Sequence, residues 1–130
     1  MITHLLDSDW LIDCINAKNN ALDLVEPLIR NGQLATSVIV LAEIYDGLHR
    51  DSARDRKLAV VNELLEGVPA LGIDERLVPR FAALRADLRA SGQIINDHDI
   101  WIAATALEHN LTLITRDKHF ERITGLKRLV

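Results

Sequence analysis

Short, continuous apolar runs alternate along this chain with longer stretches in which apolar positions recur every third or fourth residue. The runs read as buried strands and the periodic stretches as helices. Residues 2–6 predict a first strand, and 9–17 a helix whose apolar positions are Trp10, Leu11, Cys14 and Ile15. Residues 20–31 predict a second helix, closed by Asn31-Gly32. Leu34-Ala35-Thr36 predicts a second strand, and Ser37 an N-cap for a helix running to about Leu48. Residues 53–66 predict an amphipathic helix stopped by Gly67, followed by a third strand over Val68 to Ile73. Asp74 is placed to cap a helix with the stripe Leu77, Phe81, Leu84 and Leu88, which Ser91-Gly92 ends. Residues 97–109 predict a last long helix, Thr112 to Ile114 a fourth strand, and Lys127 to Val130 a fifth.

Strands alternating with helices predict an α/β sandwich around a mostly parallel sheet of four to five strands. The strands are almost wholly apolar, as a sheet covered on both faces requires. A chain of 130 residues without repeats or a Pro/Gly-rich linker predicts one domain, 1–130. Ligands of such sheets bind beyond the carboxyl ends of the strands.

Acidic residues stand where the apolar runs end. Asp7 follows Leu5-Leu6, and Asp117 follows Leu113-Ile114-Thr115-Arg116. Glu43 interrupts Val38-Ile39-Val40-Leu41-Ala42, and Asp99 opens Asp99-Ile100-Trp101-Ile102-Ala103-Ala104. A carboxylate beside a buried segment is costly unless something neutralises it. Asp9 directly precedes Trp10-Leu11-Ile12 and reads as the cap of the first helix, which leaves Asp7 without a structural task. Glu43 is the only charge between Ser37 and Tyr45, so it reads as a lone carboxylate on a helix buried nearly all round. Gly47, one turn later, leaves room on the same face. Asp99 is in helical line with Ile102, Ala103 and Ala106, and Asp97 reads as the acid serving the helix start. Asp117 is also placed to cap a short helix around His119. If the fold brings the acids together, their mutual repulsion calls for a divalent cation, and hard oxygen ligands select Mg²⁺ or Mn²⁺ over zinc. The hydroxyls of Ser8 and Thr115 are placed to orient a water there or to bond local backbone.

The remaining composition narrows the picture. The five histidines show no zinc spacing, and there is no Gly-rich phosphate loop or Ser/Cys nucleophile motif. The single cysteine, Cys14, predicts core packing and a reducing compartment. No apolar run is long enough to span a bilayer and no signal peptide is evident, so a cytoplasmic protein without a membrane partner is expected. The net charge of −4 argues against nucleic acid only until metal offsets the acids. Its cations group at Arg50 to Lys57, Arg76 to Arg89 and Arg116 to Arg122.

Four segments taken in order carry a resemblance: Leu5-Leu6-Asp7-Ser8-Asp9, Glu43-Ile44-Tyr45-Asp46-Gly47, Asp99-Ile100-Trp101-Ile102-Ala103-Ala104, and Leu113-Ile114-Thr115-Arg116-Asp117-Lys118-His119-Phe120. The chain resembles the PIN-domain family, and within it the VapC-type toxin ribonucleases. The resemblance implies a three-layer α/β/α sandwich holding one or two Mg²⁺ or Mn²⁺ ions. It implies Asp7, Asp99 and Asp117 as metal ligands, with Glu43 reaching the metal directly or through water. Ser8 and Thr115 match positions that carry hydroxyls, and Asp97 is an auxiliary acid. Asp9 stands where many members carry Asn, which leaves open whether it touches metal or caps the helix. The implied reaction is hydrolysis of an RNA phosphodiester by activated water, giving a 5′-phosphate and a 3′-hydroxyl. A cognate antitoxin and a homodimer are the implied partners. Two other readings fit part of the pattern. Asp7-Ser8-Asp9 after a first strand also resembles haloacid-dehalogenase-like phosphohydrolases, which leaves Glu43 and Asp99 unexplained. A non-catalytic RNA- or protein-binding module of the same fold is the other.

Overall fold

The apolar runs become five short strands in the computed structural model, which describes residues 1–130. They are β1 (His4–Leu6), β2 (Leu34–Ser37), β3 (Ala70–Leu71), β4 (Thr112–Ile114) and β5 (Arg128–Leu129). Every pairing is parallel, and the order across the sheet is β3-β2-β1-β4-β5. The sheet is therefore wholly rather than mostly parallel. The third and fifth strands shrink to two paired residues each because they lie at the edges. Leu5, Leu34, Ala35 and Leu113 on the inner strands are completely buried.

Six α-helices make the crossovers: α1 (Ser8–Ile15), α2 (Ala21–Arg30), α3 (Val38–Leu48), α4 (Arg54–Leu65), α5 (Leu77–Ala90) and α6 (Asp97–Glu108). Helices and sheet form the three-layer α/β/α sandwich. α1 packs on α2, α3 and α4, while α5 pairs with α6. Phe81 and Trp101 fasten the second pair by stacking, with ring centroids 4.0 Å apart. Ile102, Ala103, Ala104 and Ala106 of α6 have no exposed surface, so α6 is the helix enclosed on most sides. α3 is not enclosed in that way. It buries the stripe Val40, Ile44 and Leu48, and leaves Val38 and Tyr45 about two-fifths exposed. The apolar run around Glu43 overstates the burial of α3, because the face that carries Val38, Tyr45 and Asp46 is left open to solvent.

Caps set where the helices begin. Ser37 caps α3 as expected, its hydroxyl accepting the Ile39 N–H at 3.0 Å. Asp74 accepts the Arg76 N–H in the turn ahead of α5 and is not that helix's N-cap. At α6 the cap is Asn96, whose side-chain oxygen accepts the Asp99 N–H at 3.0 Å. Asp97 is the first residue of the helix and stands in its first turn, where an acid serves the helix start as expected. Asn96→Ala is expected to cost about 1 kcal/mol of stability, the usual worth of such a cap. Urea unfolding of the two proteins checks it, and equal midpoints would contradict it.

Candidate active site

β1 and β4 are neighbours, yet the chain leaves β1 toward β2 on one side and β4 toward β5 on the other. Such a switch point opens a crevice at the carboxyl ends of the strands. Leu6 pairs with Ile114, so Asp7 and Thr115, the residues that follow, emerge side by side.

Asp7 occupies the N-cap of α1, with extended backbone at φ −81° and ψ 167°. One carboxylate oxygen accepts the Ser8 N–H at 2.8 Å, and the other accepts the Thr115 hydroxyl at 2.7 Å. The cap thus falls on Asp7 and not on Asp9, because β1 ends at Leu6 and α1 starts at once. Asp9 sits in the first turn, where its oxygens accept the Trp10 and Arg116 N–H groups, each at 2.7 Å. Ser8 contributes its backbone N–H to Asp7.

The Thr115 hydroxyl is fully buried and works in both directions, donating to Asp7 and accepting the Asp117 N–H at 3.0 Å. Asp117 in turn caps the 3₁₀ helix Lys118–Arg122, accepting the His119 N–H at 2.9 Å. Across the crevice, Asp99 lies buried in the first turn of α6. Glu43 comes from the middle of α3, and its side chain is 29% exposed, so it is not the sealed-in carboxylate that its apolar neighbours suggest. Asp97 faces outward and is paired with Arg85 at 3.7 Å.

The acids sense one another. Burial raises the Asp7 carboxyl to about 7, against hydrogen bonds from Thr115 and Ser8 that lower it, and the charges of Asp9 and Asp99 add to the rise. Burial likewise raises Asp99 to about 6, with Asp117 and Glu43 pushing the same way and His119 and His98 opposing. Asp7, Glu43, Asp99 and Asp117 therefore share one electrostatic neighbourhood.

Two histidines also reach it. His119 Nδ1 lies 3.2 Å from Asp117 and 3.9 Å from Asp99, and His98 Nδ1 lies 3.9 Å from Glu43. Zinc spacing could not have found them, because they enter through the caps next to Asp117 and Asp99 rather than through a motif of their own. Asp99, Asp117 and His119 present ligand-capable atoms within 4.8 Å of one another. Asp7 and Glu43 stand outside that tight group; the oxygens of Asp7 are turned toward Ser8 and Thr115. A set of carboxylate oxygens, two of them held at raised pKa by burial and mutual repulsion, suits a hard divalent cation. Beside Glu43 a cleft of about 170 Å³ runs between α1, α3 and α4, lined by Ile12, Ile15, Ile44, Gly47 and Leu48. A Cβ at Gly47 would meet nothing within 4 Å, so this glycine borders open space.

Known proteins share both the fold and the sequence pattern. Ribonuclease VapC2 of Haemophilus influenzae is 29% identical, with the match covering 98% of this chain and 96% of its own. Ribonuclease VapC1 of Methanocaldococcus jannaschii is 33% identical over 95% of this chain and 84% of its own. The crystal structure of VapBC2 from Rickettsia felis, bound to a DNA fragment from its promoter, includes a chain that superposes with a TM-score of 0.89 at 27% identity. That match covers 99% of this chain and 98% of the other. The PIN domain model matches residues 5–126, a span that takes in β4 and all four acids, and this chain belongs to the PIN-domain family.

Proposed function

We propose that this chain is a Mg²⁺- or Mn²⁺-dependent endoribonuclease and the toxin of a toxin–antitoxin pair, acting in the cytoplasm. The observation that carries the reading is the meeting of Asp7, Glu43, Asp99 and Asp117 at the β1/β4 crevice, two of them buried with raised pKa. The ribonuclease names of the relatives and the VapBC assembly support it. No helix is long and apolar enough to cross a membrane.

A divalent ion in the crevice would polarise the scissile phosphate and ease deprotonation of water. Asp99 and Asp117 offer carboxylates to hold it, and Asp7 adds a third, kept in place by the Thr115 hydroxyl. Glu43 approaches from α3, where partial exposure lets its carboxylate orient an attacking water. The backbone amides and hydroxyl that grip Asp7 and Asp117 keep these groups from swinging as charge accumulates on the phosphate. Ile12, Val38 and Tyr45, all exposed, offer apolar surface on α1 and α3 for an antitoxin segment. The phosphohydrolase reading is weaker, since both oxygens of Asp9 are already engaged by backbone N–H groups and Glu43 and Asp99 have no part in it.

Asp99→Asn is expected to lower cleavage of total cellular RNA by more than about 100-fold, beyond the cost of losing a group that merely supports a ligand. EDTA should abolish cleavage by the unaltered protein, and added Mn²⁺ should restore it. Cleavage that survives the substitution in a nuclease-free preparation would refute the assignment.

Charge in the crevice also has a stability signature. Asp7 and Asp99 bind protons more tightly folded than unfolded, so their contribution is fully favourable below the ordinary carboxylate pKa. It is lost as pH rises from about 4 toward about 7. Metal-free protein should therefore lose melting temperature between pH 5 and pH 8 on account of these two groups. Asp7→Asn should flatten that loss and raise the melting temperature at pH 8 by roughly 5 °C. Calorimetry in chelator checks both, and a lower melting temperature for the variant at pH 8 would contradict the argument.

A further inference from the structure

Residues 115–117 leave β4 with Thr115 and Asp117 committed to the crevice. Arg116, between them, turns instead to α1. Its backbone N–H donates to Asp9 at 2.7 Å. Its guanidinium donates to the Asp13 carboxylate and to the Asp9 carbonyl oxygen, and lies 5.0 Å from the centre of the Trp10 ring. Asp13 is steadied from beyond α1 by the Asn19 amide at 2.9 Å. The hydrogen bonds from Asn19 and Arg116 hold its carboxyl below the usual range. The other oxygen of Asp9 accepts the Trp10 N–H, which ties that carboxylate to the start of its own helix.

We propose that Asp9 and Arg116 form a clamp that sets the end of β4 against the start of α1 and thereby positions Asp7 and Asp117, and that Asp9 is a positioning residue and not a metal ligand. Asp7 begins α1, and the clamp is anchored two residues and six residues further along that helix. Asp117 is the next residue after Arg116. Sliding of one element against the other would part Thr115 from Asp7, whose hydrogen bond joins positions 108 residues apart. A planar guanidinium, with several donors in a fixed fork, fixes that register more rigidly than a single point charge would. What Asp9 supplies to the end of β4 is one acceptor oxygen for the Arg116 amide, a task that needs no negative charge; its second oxygen, on the Trp10 N–H, serves only α1.

The inference rests on the metal-dependent reading above, and the test separates the two. Mn²⁺ binding to purified protein is measured from the electron paramagnetic resonance signal of free Mn²⁺. The set is the unaltered chain, Asp99→Asn, Asp9→Asn, Asp9→Ala and Arg116→Met, each with its metal-free melting temperature. The clamp predicts that Asp9→Asn binds Mn²⁺ nearly as the unaltered chain does, because its one amide oxygen still accepts the Arg116 N–H and only the contact to the Trp10 N–H is given up. Asp9→Ala and Arg116→Met should weaken binding about tenfold. Asp9→Asn as defective as Asp99→Asn would make Asp9 a ligand and overturn the proposal. Unaltered affinity in both Asp9→Ala and Arg116→Met, with only the melting temperature lowered, would reduce the clamp to a structural brace and also overturn it. Absence of Mn²⁺ binding in the unaltered chain would refute the metal-dependent reading and this inference with it. The near-isosteric Asp9→Asn keeps the comparison decisive if Arg116→Met fails to fold.

Discussion

The parallel pairing of β1 with β4 is the constraint on which everything else hangs. The ladder continues past the strand ends, with the Asp7 N–H donating to the Ile114 carbonyl at 3.0 Å. One buried hydroxyl, that of Thr115, then joins the side chains across the same boundary. Shift this register by one residue and each side chain beyond it turns to the other face of the sheet. The acids would no longer meet. A packed apolar sheet, with Leu5 and Leu113 fully enclosed, makes such a slip expensive.

Four carboxylates at one sheet edge would ordinarily be hard to hold in a folded chain. The fold eases the problem locally. Asp7 caps α1, Asp117 caps the 3₁₀ helix, and Asp99 lies in the first turn of α6. Each therefore sits near unpaired N–H groups and the positive end of a helix, which favour negative charge. Glu43, in mid-helix, lacks that support and stays partly in water near His98. Capping and chemistry are thus not rival explanations for these acids. The helix starts stabilise a set of charges that repel each other, but burial, with that repulsion added, still leaves the carboxyls of Asp7 and Asp99 raised.

Most of this was legible because apolar runs and their punctuation are local. All five strands and six helices lie where periodicity places them, apart from frayed edges. The errors cluster where two elements must be known at once. Which of Asp7 and Asp9 caps α1 depends on where β1 ends, and that is set by pairing with β4. The exposure of α3 depends on which of its faces the other elements cover, which no property of Val38 to Leu48 encodes. His119 and His98 were hidden for a related reason: their importance lies in whom they face, and their own spacing says nothing of it.

The bond between Thr115 and Asp7 spans 108 positions of the chain. Synthesis runs from the amino terminus, at about 5–20 residues per second. For most of that time β1 and α1 exist without β4, and Asp7 has only the Ser8 amide for company. Closing so long a loop is entropically costly and is repaid only once the strands pair. The acidic crevice is therefore a late product of folding, so a nascent chain of a protein that cuts RNA would be harmless to the message and ribosome that are making it.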